Sequence, residues 1–194
     1  MEADPLVQTR INIFRSDLSQ LPVPIIVRKH ITFGDCYILN HDKHFYLKSH
    51  VADHFEIHPN EVLIIGSAKL GFSIAQNKRY RHFSDRSDID VAIVSARLFD
   101  EIWQQVFDYW NDVRYWPYEE VFKSNLFRGW IRPDKLPRSE QFPLQKDWWD
   151  FFQEVTRSGV HGSYKVSARL YKSWHYLETY QSICVKQCKQ ELGV

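Results

Sequence analysis

Two short hydrophobic runs, EVLIIG at 61–66 and DIDVAIV at 88–94, constrain the fold most. Each has the length of a buried strand, and each carries polar residues that a plain core strand does not need. The first run breaks into Gly66-Ser67, and the second sets Asp88 and Asp90 two positions apart. Alternate side chains on a strand face the same way, so Asp88 and Asp90 share one face. Ile89, Val91 and Ile93 take the other face, which can pack on a helix. Neighbouring carboxylates repel each other and resist joint desolvation. A divalent cation relieves that cost, and Mg²⁺ favours one or two carboxylates with phosphate oxygens and water completing its octahedron. Taken alone, D-x-D is short and common, and a half-buried edge strand with solvated aspartates accounts for it as well.

The glycine-serine turn shifts that balance. Gly66 can take backbone angles closed to other residues, and Ser67 adds a hydroxyl. If a helix starts there, its first N–H groups suit a phosphate. Gly71 lets a ligand or neighbouring backbone approach. An ordinary strand-to-helix turn would explain G-S-x-x-x-G alone. The two motifs in this order, each tied to a strand, resemble the DNA polymerase β-like nucleotidyltransferase superfamily over roughly residues 61–112. The match is Gly66, Ser67 and Gly71, then Asp88 and Asp90, with Ser87 just before them. The resemblance implies that Asp88 and Asp90 ligate Mg²⁺ or Mn²⁺, and that Gly66 and Ser67 hold the β- and γ-phosphates of ATP or another NTP. It implies transfer of a nucleoside monophosphate to an acceptor hydroxyl with release of pyrophosphate. The acceptor stays open among a protein, a nucleic-acid end and a small molecule. Small members of the superfamily often belong to bacterial toxin–antitoxin or antiphage systems, which leaves room for a partner protein.

The chain departs from that pattern in two places. The interval between the motifs is long and includes NKRYRHFSDR, with Lys78, Arg79, Arg81 and Arg86. This is either a solvated hairpin tip or a cationic lip over the triphosphate or over an anionic acceptor. Arg79 and Arg81 are the chosen candidates, and Lys69 inside the turn is a further phosphate ligand. The second departure is the third acid that active members carry on a later core strand. The best late strand, YKVSARLY, offers Ser167 and Arg169 instead. Asp147, Asp150, Glu154 and Glu178 lie nearby in sequence, on expected helices. A helix-borne acid such as Asp147, Asp150 or Glu154 would restore the set. Without one, the alternative is a degenerate module that binds nucleotide or a partner without turnover.

The periodicity predicts mixed α and β elements in one domain over 1–194, and the resemblance implies an α+β fold with a small mixed sheet, flanking helices and a nucleotidyltransferase-like core. That core spans about 41–112, with a late strand and helix at about 163–192. A helix is expected over 41–57, where Leu47, Val51 and Phe55 recur at i+4, and Pro59 ends it. Others are expected at 96–112 after Ser95, at PYEEVFKSNLF before Gly129, at DWWDFFQEVTR before Gly159, and at the C-terminal WHYLETYQSICVKQCKQEL after Ser173. Residues 130–146, with three prolines, read as loop. Residues 1–40 stay ambiguous, and VPIIVRKHITF can form an edge strand.

Lys plus Arg is 25 against 24 for Asp plus Glu, a net charge of +1, so any nucleic-acid surface is a local patch. No run approaches the roughly 20 apolar residues of a membrane span, and MEADPLVQTR lacks the basic start and apolar core of a secretory leader. The three cysteines Cys36, Cys184 and Cys188 form no C-x-x-C. Reduced thiols in a cytoplasm are expected. His50, His54 and His58 repeat at i+4, but three ligands on one straight helix rarely converge on one ion, so a surface role beside the apolar stripe is preferred. Cys184 and Cys188 read as core thiols. Trp148, Trp149, Phe151 and Phe152 suit a helix core more than a base-stacking platform. Arg128, Arg132, Lys135 and Arg138 either grip an acceptor or line a solvated loop.

Overall fold

The computed structural model describes residues 4–113 and 115–194. Among them, four strands make one mixed sheet: β1 (Val62–Ile65), β2 (Ile89–Val94), β3 (Trp130–Ile131) and β4 (Val166–Tyr171), in the order β1-β2-β4-β3. β1 runs antiparallel to β2, β2 parallel to β4, and β3 antiparallel to β4. Asp90 pairs with Ile65 on one side and with Ser167 on the other.

The alternation of the strands divides the interior into two cores. Val62, Ile64, Ile89, Val91, Ile93, Val166 and Leu170 face one way. They are covered by α3 (His41–His54), α5 (Ala96–Val113) and α7 (Leu144–Arg157), through Leu47, Val51, Ile102, Val106, Phe152 and Val155. Leu63, Ile65, Ala92, Val94 and Tyr171 face the other way. There they meet α1 (Pro5–Gln20), α2 (Val23–Val27) and α8 (Trp174–Leu192), through Phe14, Leu18, Ile26, Leu177 and Val185. The one-turn helix α4 (Gly66–Leu70) follows β1 directly, and α6 (Glu119–Phe127) precedes β3. Among the described residues no helix is long and apolar enough to cross a membrane.

Where an edge strand was considered above, Val23–Val27 and Arg28–Thr32 are helical, and Pro5–Gln20 forms a helix before them. Val7, Ile11, Phe14 and Leu18 recur at helical spacing and are buried along α1. Asp4 caps that helix by accepting from the Leu6 N–H at 2.9 Å. Pro24 falls in the first turn of α2, where its missing N–H costs no helical bond. The loop read over 130–146 contains the two-residue β3. Pro133 opens a short 3₁₀ turn and ends the pairing with β4. Ser173 stands at the start of α8, but its side chain makes no capping bond.

Because α1 covers the sheet, its core side chain Phe14 carries a stability test. Phe14 is fully buried and meets Phe72 edge to face at 5.6 Å. Phe14→Ala is expected to destabilise the protein by about 3–5 kcal/mol in urea denaturation. A change within about 0.5 kcal/mol, the range of an exposed substitution, would mean that α1 does not seal this core.

Candidate functional site

The turn and the strand meet at Asp90. Gly66 has φ +68, a left-handed conformation, and an added Cβ would lie 3.1 Å from Asp90 Oδ2. Glycine is needed here for both reasons, and it lets the turn press against the carboxylate. Asp88 stands just before β2 and is exposed, while Asp90 is half-buried. Ser87 shapes the approach. Its N–H donates to the Ser84 carbonyl at 2.8 Å, and its hydroxyl accepts from the Ser84 N–H at 3.1 Å.

Around this contact lies a cleft of about 400 Å³. One wall is the turn, with Gly66 and Ser67. The floor is the sheet, with Asp88, Asp90, Ser167 and Arg169. The third side is Tyr180, Gln181 and Cys184 of α8, and the lip holds Lys78, Arg81, His82 and Arg86. Burial pushes the Asp90 carboxyl up, and the charge of Asp88 adds to it. Arg169, Lys165 and Lys78 oppose the shift without cancelling it. Arg169 donates to the Tyr180 hydroxyl at 3.0 Å, which fixes the guanidinium beside the site.

The lip is a hairpin. Phe72 bridges His82, the Ser73 N–H donates to the Arg81 carbonyl at 2.8 Å, and the Tyr80 N–H returns to the Ser73 carbonyl at 2.8 Å. Arg81 is exposed and lines the cleft. Arg79 points the other way. Its side chain is 8% exposed, pairs with Glu191 and donates to the carbonyls of Gln187 and Ile74, so it ties the hairpin to α8. Lys69 also turns away from the cleft: it is buried and bonded to the Gly34 carbonyl. Gly71 ends α4 with φ +89 and packs against the Tyr37 ring, where an added Cβ would come within 3.0 Å. Of the sequence candidates, Gly66, Ser67, Arg81, Ser87, Asp88 and Asp90 therefore share one cleft, while Lys69, Gly71 and Arg79 hold its supports.

No helix-borne acid joins them. Asp147 meets His54 at 3.2 Å, Asp150 pairs with Lys146, and Glu178 pairs with Arg28 at 3.0 Å. Glu154 borders a separate surface depression beside Trp149. Among the described residues that line the cleft, Asp88 and Asp90 are the acids, and Ser167 pairs with Asp90 on β4. The histidines do not converge. His54 stacks on Phe151 at 3.9 Å, His50 meets the same ring edge-on, and His58 accepts from the Asn60 N–H. No group of three or more His, Cys, Asp or Glu among the described residues is arranged to hold a metal ion. Sequence reasoning missed the α8 wall. The available signal was that Tyr180, Gln181 and Cys184 continue the helical face of Leu177 and Cys188 toward the sheet.

Comparisons with family models, with curated proteins and with solved structures found no match.

Two substitutions probe the contact itself. Gly66→Ala is expected to cost about 1–3 kcal/mol, the usual range for a residue forced into such backbone angles. Asp90→Asn should do the opposite in the ligand-free protein. The folded state disfavours the charged carboxylate, so a neutral isostere removes that penalty and the melting temperature rises at neutral pH. A lower melting temperature for Asp90→Asn would show that the carboxylate is held by bonds rather than strained by burial.

Proposed function

We propose that this chain is a divalent-cation-dependent nucleotidyltransferase that moves a nucleoside monophosphate from an NTP to an acceptor hydroxyl. The observation that carries the reading is the Gly66–Asp90 contact. It joins the G-S turn and the aspartate pair in one cleft with a cationic lip. The pair suits Mg²⁺ or Mn²⁺: Asp90 is half-buried and lifted by burial and by Asp88, so a cation would relieve it. Two carboxylates leave most of the coordination sphere to phosphate oxygens and water. When bound, the ion would neutralise charge at the reacting phosphorus. Ser67 and the Gly66 backbone would hold the terminal phosphates. Lys78, Arg81 and Arg86 would attract the triphosphate and the departing pyrophosphate. α4 has five residues, so local N–H and hydroxyl groups rather than a helix dipole would do the holding.

The acceptor side has its own space. A cavity of about 600 Å³ lies along β4 and shares Ser167 and Arg169 with the cleft. Arg132, Arg138, Lys165 and Trp149 line it, with Asp134 as its acid. Asp134 is already engaged by Arg132 at 3.0 Å and Lys135 at 3.2 Å. Its cations and exposed Trp149 would suit an acceptor with phosphate and a flat ring, although a protein or small-molecule acceptor fits the same reading. Ser167 in place of an acid favours a second reading, a nucleotide-binding module without turnover. General-base help typically contributes about 10²–10⁴-fold, so unaided transfer would be slow unless a partner protein supplies the missing acid.

The direct test incubates purified protein with each labelled NTP, Mg²⁺ or Mn²⁺ and cell lysate. Label is expected on one acceptor class, and only with the cation. NTP binding with no label anywhere would replace this reading by the binding module. The two lip arginines give an independent check. Arg81→Ala should weaken NTP binding by about tenfold, as for one lost charged hydrogen bond, and barely change stability. Arg79→Ala should instead cost about 2 kcal/mol of stability, because its bonds tie the hairpin to α8. Equal stability of the two variants would contradict this division of labour.

A further inference from the structure

Along the free edge of β1 lies another cavity, of about 250 Å³, that shares no lining residue with the cleft. Ile31, Leu63 and Ile64 form its apolar side. Lys69, Lys48 and His44 bring three basic groups to it, and among the described residues no carboxylate lines it. Lys69 is only 4% exposed. Its ammonium donates to the Gly34 carbonyl, a neutral acceptor that satisfies one of its three N–H groups. None of the three basic groups takes part in an ion pair among the described residues. A buried charge without a partner is costly, and buried charges in proteins are ordinarily paired.

From this geometry we propose that the cavity binds a phosphate group, with Lys48, Lys69 and His44 as its ligands and Thr32 and Asn60 at its wall. A doubly negative oxyanion supplies a paired counter-charge, which Asp35, acting on Lys69 and His44 only from a distance, does not. Phosphate oxygens also accept from the N–H groups that Lys69 leaves over. Burial lowers the proton affinity of all three basic groups, and Lys48 and Lys69 lower that of His44 further. An arriving anion opposes that trend and favours the charged form of each group. The cavity is larger than one phosphate needs, and half-exposed Trp174 lines it too. A phosphate monoester with a sugar-sized group therefore fits as well as the free anion. α4 carries Lys69 to this cavity and Gly66 and Ser67 to the cleft. The proposal stands whether or not the cleft transfers nucleotides.

The test is isothermal titration of the full chain with inorganic phosphate and with ribose 5-phosphate, at constant ionic strength adjusted with sodium chloride. The protein carries Arg81→Ala and Arg86→Ala and the titration omits divalent cations, so that the cleft loses lip cations and keeps both aspartates, which repel a free anion. Binding is expected for at least one probe, and tighter binding of ribose 5-phosphate would assign the site to a monoester. Adding Lys48→Gln should weaken that binding by about tenfold or more. His44→Gln serves as the second variant if Lys48→Gln fails to fold, with the same loss expected. No binding of either probe, or affinity unchanged by a folded Lys48→Gln or His44→Gln variant, would overturn the proposal. Neither result bears on NTP binding at Asp88 and Asp90.

Discussion

Everything at this site turns on the carboxylate of Asp90, set into the sheet with a glycine turn against it. A charge in that place is disfavoured by burial and by Asp88. The protein offers Arg169 as partial compensation, and Arg169 is itself held by Tyr180. The turn can approach only because residue 66 has no side chain and takes φ +68. The strand must place its polar face toward α8 and its apolar face toward α3, α5 and α7, which the two-residue repeat enforces. A slip of one residue would bury Asp88 and Asp90 in the larger core and expose Ile89, Val91 and Ile93.

The remainder of the fold can be understood as support for that contact. α8 packs on the same side as the carboxylate and closes the cleft with Tyr180, Gln181 and Cys184. Arg79 fastens the cationic hairpin to that helix, so Arg81 can stand free at the lip. Tyr37 packs on Gly71 and closes the far end of α4. The cleft is thus built from segments far apart in sequence, and the helices that frame it also cover the second core.

The shared face of Asp88 and Asp90 was legible in the sequence from strand parity alone. Gly66, Ser67 and Ser87 were placed with them by the order of the two motifs, each tied to a strand. Small mixed sheet and flanking helices were legible for the same reason. Side-chain direction within the interval was not. Arg79 and Arg81 are two apart, yet one is locked to α8 and the other faces the cleft. That difference depends on Gln187 and Glu191, more than a hundred residues away. Lys69 was misplaced likewise, because its burial depends on the Gly34 segment, which follows the helical Arg28–Thr32 and which the sequence left ambiguous. The expected helix-borne acid failed for a related reason. Asp147 and Asp150 do lie on a helix, but α7 presents them to His54 and Lys146 on its outer side.

The central claim is that Asp88 and Asp90 form a cation-dependent triphosphate site. Calorimetric titration of NTP into the wild-type protein and Asp90→Asn, each with Mg²⁺ and with a chelator, tests it most directly. The account predicts binding to the wild-type protein only with Mg²⁺, and a folded Asp90→Asn protein that does not bind under either condition. Equal NTP affinity in all four titrations, or none in any, would contradict it.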